Sequence, residues 1–283
     1  NFTMALMADR TVRSLTFGTN STNDFKVSLN NTNGNTAYNL TMGNATNAAT
    51  ITLNATGGNV TIGSGIGSTF GNITLGNTLT VNQNSTSGLL TIDRSITGTT
   101  AGFTKAGSGT LTLSGTANTW NGTTTVSAGT LTLSGSLTTN GSIAVNGAAG
   151  PVLNITGNLT QTYTGGSVRG LVIAGTANNS GTVNVSGSGI LNIGGGMLIS
   201  EDSGGNGVFN QSGGTVNANG NVWLGGQSSS LSVSGGNFNM GGSTLFLGSG
   251  SPASSNATLS VSGTGTVSLG TMNVGAYSRN FSA

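Results

Sequence analysis

Lys105-Ala106-Gly107-Ser108-Gly109-Thr110-Leu111-Thr112-Leu113-Ser114-Gly115 is followed, after Asn118-Thr119-Trp120-Asn121-Gly122, by Thr123-Thr124-Thr125-Val126-Ser127-Ala128-Gly129-Thr130-Leu131-Thr132-Leu133-Ser134-Gly135. The block Gly-Thr-Leu-Thr-Leu-Ser-Gly thus occurs at 109–115 and again at 129–135. Strand, turn, strand, turn and the first strand once more make up one lap of a coil.

The same alternation of apolar and small polar residues runs outward in both directions. Val27-Ser28-Leu29, Leu40-Thr41-Met42, Ile51-Thr52-Leu53, Val60-Thr61-Ile62, Ile73-Thr74-Leu75, Leu79-Thr80-Val81 and Leu90-Thr91-Ile92 each put two apolar residues on one side of a strand and a polar one on the other. No stretch of a dozen residues holds the three-and-four spacing of an amphipathic helix without glycine or a Ser/Thr/Asn cluster interrupting it. In the second half, Thr182–Gly187, Phe209–Gly213, Leu231–Gly235 and Leu259–Gly263 align on their Ser-Gly. A second and a third strand follow each, for example Thr215–Asn217 then Val222–Leu224, and Phe238–Met240 then Leu245–Leu247.

A unit of about 25 residues cannot bury its own apolar side, and stacking such units makes one continuous core. The expected fold is all-β, a right-handed parallel β-helix with roughly three short strands per coil of about 20–28 residues. Inward Leu, Val and Ile would then stabilise by about 1.5–3 kcal/mol each. Outward Thr suits the pleat through its β-branching. We expect a single β-solenoid segment over 1–283, part of a larger protein, with Thr-rich coils over 1–150, including the 103–135 repeat, and Gly/Ser/Asn-rich coils over 151–283. The start at Asn1 shows neither an initiator methionine nor a signal pattern, as in a mature or excised segment.

Composition points the same way. Charged residues are 4% and aromatics 5% of the chain, while 51 glycines are spaced rather than clustered. A net charge of +2 from seven basic and five acidic residues offers no basic face, so no nucleic-acid partner is expected. Cysteine is absent, which removes disulfides and thiolate metal sites. No run approaches the roughly 18 apolar residues of a membrane span.

The stretches Phe103–Gly115, Asn118–Val126 and Ala128–Leu133 closely resemble the autotransporter-associated β-helical repeat of bacterial passenger domains. That family usually has Tyr where this chain has Trp120. The glycine-rich repeats after residue 205 are similar to those of large secreted surface proteins. The resemblance implies a right-handed β-helix that is extracellular or on the cell surface, commonly in adhesins, and it implies no activity.

Catalytic chemistry is poorly provided for. Without histidine or cysteine there is no Ser/His/Asp or Cys/His system and no ordinary zinc site. Lysine could act as a base, but Lys105 lies inside the structural repeat. Asp9, Asp24, Asp93, Glu201 and Asp202 are the whole acidic supply for a polysaccharide-degrading enzyme. Asp93 and Arg94 are expected as two solvated charges on opposite sides of a strand. Glu201-Asp202 is expected to be a surface turn rather than a cation site.

Gly63-Ser64-Gly65-Ile66-Gly67 lacks the helix a phosphate loop needs and is expected to be a coil corner. Trp120, Trp223, Tyr38, Tyr163 and Tyr277 could stack on sugars, though single aromatics more often pack corners. Met4 to Met7 could form a cap. Asn-x-Ser/Thr sequons stand at Asn20, Asn54, Asn84, Asn154 and Asn256 among others, as a chain rich in those residues produces.

The expected function is therefore a non-catalytic structural or adhesive β-helix, a filament subunit or stalk, with no catalytic, cofactor-binding or metal residues. Its expected partners are further copies end to end or neighbouring domains of the same protein, with cell-surface glycans as a further class. The alternative is a carbohydrate- or ice-binding solenoid, from outward Thr-x-Thr pairs such as Thr110/Thr112, Thr123/Thr125 and Thr130/Thr132.

Overall fold

The structure is a computed structural model and describes residues 2–18, 24–30, 36–54, 58–63, 70–163, 169–200, 204–249 and 256–277. Among these residues every regular element is a strand. The chain divides into two compact units, 1–124 with 129–139 and 125–128 with 140–283.

In the first unit the strands form three parallel ladders, one strand per lap in each. The first runs through Phe2–Ala5, Phe25–Ser28, Val60–Gly63, Leu90–Ile92, Thr110–Leu113 and Thr130–Leu133. The second runs through Arg10–Val12, Leu40–Met42, Ile73–Leu75, Ile96–Gly98, Asn118–Trp120 and Ser136–Thr139. The third holds Ser14–Phe17, Ala49–Leu53, Leu79–Gln83 and Phe103–Ala106. All the strands expected from alternation over the first 92 residues are present, and they stack as a parallel β-helix.

The second unit repeats the plan. Its first ladder comprises Val152–Ile155, Ser180–Val185, the leading halves of Asn206–Ala218 and Ser228–Asn239, and Asn256–Val261. Its second comprises Asn158–Gln161, Ile190–Ile193, the trailing halves of those two long strands, and Thr266–Ser268. Its third takes Ile143–Val145, Arg169–Ile173, Gly196–Ile199, Val222–Leu224, Thr244–Ser249 and Thr271–Tyr277.

Residues 206–218 and 228–239, which the repeat pattern divides into two strands each, run without interruption around a corner. The register slips there by one residue at Ser212 and returns by Thr215. Gly214 (φ 69°) and Gly236 (φ 78°) turn the chain in the left-handed region while its neighbours remain in the ladder.

Register makes the core. Val60, Leu90, Leu111 and Leu131 stack in one column and Ile62, Ile92, Leu113 and Leu133 in the next, all buried. Between them, on the outer side, stand Thr61, Thr91, Thr112 and Thr132. At the corners the backbones come too close for side chains. Gly129 has φ 62°, and a Cβ there would lie 2.5 Å from the carbonyl oxygens of both Gly107 and Gly109.

This inside/outside assignment sets the expected response to truncation. Leu111→Ala should cost about 2–5 kcal/mol by opening a cavity in a closed column. Thr112→Ala, one residue away and half-exposed, should cost less than about 1 kcal/mol. Urea unfolding followed by circular dichroism measures both, and equal costs would contradict the register.

Candidate functional site

Part of the outer surface of each unit is built from columns of one residue type. On the second ladder of the first unit, Thr11, Thr41, Thr74, Thr97, Thr119 and Thr138 stand in register, one per lap. Successive strands in a sheet lie about 4.8 Å apart, which sets the spacing of this hydroxyl row. Of the expected Thr-x-Thr pairs, Thr110/Thr112 and Thr130/Thr132 are outward and in register with each other. Thr123 is exposed just before the strand Thr124–Val126, and Thr125 is half-buried within it.

In the second unit the corresponding columns are asparagines bonded to one another along the stack. Asn184 donates its amide to Asn154 Oδ1 at 2.8 Å, and Asn210 donates to Asn184 at 3.0 Å. On the neighbouring ladder Asn192 donates to Thr160 Oγ1 at 3.1 Å, Asn217 to Asn192 at 2.7 Å and Asn239 to Asn217 at 3.1 Å.

Charged residues occupy separate places. Asp9 Oδ1 accepts the Asn39 backbone N–H at 2.8 Å, and Asp24 Oδ1 accepts that of Asn59 at 3.3 Å. Asn39 and Asn59 repeat the contact one lap further on, to the N–H groups of Asn72 and Leu89. These acids are therefore the first members of corner columns that tie each lap to the next.

Asp93 and Arg94 correct the expectation of opposed, solvated charges. Arg94 Nε lies 3.5 Å from Asp93 Oδ1, both half-buried, and its guanidinium sits 4.8 Å from the Phe70 ring centroid. The strand ends at Ile92, so alternation does not hold for the pair at the corner. No group of three or more Asp or Glu among the described residues could hold a metal ion. Glu201, Asp202, Asn20 and residues 64–67 of the glycine motif lie outside the described residues.

Lys105 is the residue whose direction alternation reveals once its strand is set. It follows Phe103 by two, so both point inward, and its side chain is wholly buried beside Val81. The ammonium donates to the carbonyl oxygens of Ala106 at 2.8 Å and Gly107 at 2.7 Å. Burial lowers its pKa from 10.5 to about 8. Trp120 is also inside, stacked on Phe103 at 4.9 Å, with its indole N–H donating to Thr124 Oγ1 at 2.8 Å.

Of the other aromatics, Trp223 faces outward and lies parallel to Phe246 at 5.9 Å. Tyr163 is exposed and Tyr38 half-buried, and the Tyr277 side chain lies outside the described residues. The N-terminal apolar segment is a strand, Phe2–Ala5, with Leu6 buried behind it. No described helix is long and apolar enough to cross a membrane.

Lys105 and Trp120 are thus inner fittings of one lap. Residues 103–133 match the family model described as the passenger-associated-transport-repeat. No curated protein and no solved structure matches the chain significantly. The repeat match and the β-solenoid fold fit an autotransporter passenger-like β-helical repeat.

Because the folded state holds Lys105 with a pKa below its unfolded value, folding releases its proton between pH 8 and 10.5. Stability should rise with pH through that window, by up to about 3 kcal/mol, and be level below it. Lys105→Met should abolish this rise and unfold at equal or higher urea at pH 7. Unfolding midpoints of the two proteins from pH 7 to 11 check both statements.

Proposed function

We propose that the chain is a non-catalytic structural β-helix of a secreted or cell-surface protein, a stalk whose outer faces are available for adhesion. The observation that carries this is the column order. Most ladders repeat inward apolar and outward small polar types lap after lap, and the few charged residues form no cluster among the described residues. The passenger-associated repeat supports export, because the family is named for passenger transport.

Association with a further β-helical lap, from a second copy or from neighbouring segments of the same protein, forms part of this reading. The outermost described lap, Asn256–Val261, Thr266–Ser268 and Thr271–Tyr277, leaves Val261 48%, Met272 49% and Val274 75% exposed. Its open strand edges and apolar positions suit parallel strand addition.

The in-register threonine row favours a second reading, in which the first unit binds a regular lattice of hydroxyls, either ice or a carbohydrate.

Protease treatment of intact cells producing the protein should degrade it, or the chain should appear in the medium; finding it solely inside resistant cells would overturn the proposal. Sedimentation over a hundredfold concentration range should show self-association that Val274→Glu weakens, and a strictly monomeric chain rejects the end-to-end contact. Thermal hysteresis and glycan-array binding test the second reading, which requires a signal that Thr74→Lys removes.

A further inference from the structure

The sequons are numerous, and the structure sorts them by what their amides already do. Asn54 Nδ2 donates to the Phe17 carbonyl at 3.1 Å, Asn154 Oδ1 accepts from Asn184, and Asn39 and Asn59 hold the backbone of the next lap. Asn72, Asn158 and Asn256 lead directly into or lie within ladder strands, where the backbone is tied to the neighbouring lap. A transferase has to bring an Asn-x-Ser/Thr triplet out of any ladder to reach both the amide and the hydroxyl.

Among the described residues four triplets lie clear of the ladder strands, but Asn44 Oδ1 is engaged by Thr46 and Asn47, and Ser142 of Asn140-Gly141-Ser142 is half-buried, which leaves two. Asn84-Ser85-Thr86 begins one residue after the strand Leu79–Gln83, and Asn121-Gly122-Thr123 begins one residue after Asn118–Trp120. In both, the asparagine and the threonine are exposed and outside any strand. No side-chain hydrogen bond engages Asn84 or Asn121 among the described residues. Gly107, with φ 75° and no Cβ, leaves room for the Asn84 amide, whose Oδ1 would stand 2.5 Å from a β-carbon there.

We propose that Asn84 and Asn121 are acceptor sites for N-linked glycosylation, the donor being a sugar activated as a glycosyl diphosphate. The asparagine Nδ2 attacks the anomeric carbon and the C1–Nδ2 bond forms. The C1–O bond to the diphosphate breaks, the diphosphate leaves with the bonding pair, and one Nδ2 proton passes to the transferase's base. Both sugars would stand on corners of the first unit and leave its ladders and core unchanged. The assignment rests on the secreted or surface reading above, since such a chain is the substrate of export-linked modification.

Peptide mass spectrometry with electron-transfer fragmentation, on protein from the surface, medium and interior of its own cells, tests it in every compartment. Sugar-mass increments are expected on Asn84 and Asn121 and not on Asn54 or Asn154. Asn84→Gln and Thr86→Ala should each remove the first increment, and Thr123→Ala the second, with the circular dichroism spectrum unchanged. Unmodified Asn84 and Asn121 in all fractions, or increments confined to hydroxyls, overturn the assignment. A chain found only in the interior overturns the surface reading instead, and modification is still scored there.

Discussion

Parallel register is the constraint on which everything else in this chain depends. A strand slipped by one residue would turn Leu111 and Leu113 to water and Thr110 and Thr112 into the core. Each lap is therefore held in phase by the lap before it, through the backbone ladder and through the shape of the column its side chains enter. The pairing Leu90 with Leu111 and Leu111 with Leu131 continues although the laps differ in length, because loops at the corners take up the difference. The ladders tolerate long corners in the Thr-rich laps and tight ones in the repeat at 103–133 without altering what faces inward.

Corners are where chemistry more specific than alternation is required, and the chain meets the need from the inside. Gln83 is buried and donates its amide to the Gly88 carbonyl at 2.6 Å while its oxygen accepts the Ser85 N–H at 2.9 Å. Asn118, equally buried, bridges the carbonyls of Gly115 and Ser136 and accepts the Ile96 N–H. Lys105 does the same with an ammonium group. These polar residues sit in the core because a turning backbone leaves carbonyls and amides pointing away from the ladders, and a buried group without a partner is costly.

Most of the fold was legible in the sequence because its signal is periodic. Val60-Thr61-Ile62 and its equivalents announce strand, direction and lap together. Features that depend on an aperiodic neighbour were less visible. Asp93 and Arg94 meet because the strand stops one residue earlier than a reader of alternation assumes. The uninterrupted path of 206–218 depends on the left-handed turn at Gly214, and adjacent glycines in a sequence do not state which of them turns. The outward pair Trp223 and Phe246 required the register of two strands 23 residues apart. The outer surface carried the least information, since a small polar residue satisfies the pleat whatever else it does.

The asparagine columns of the second unit give its laps a second set of ties, running from side chain to side chain in the same direction as the backbone bonds. Threonine side chains in the columns of the first unit carry no amide with which to form such a chain. A tension that peels one lap from the next must break about 0.5–1.5 kcal/mol of additional bonding at each asparagine contact. In mechanical terms the substitution of asparagine for threonine works as reinforcement along the grain.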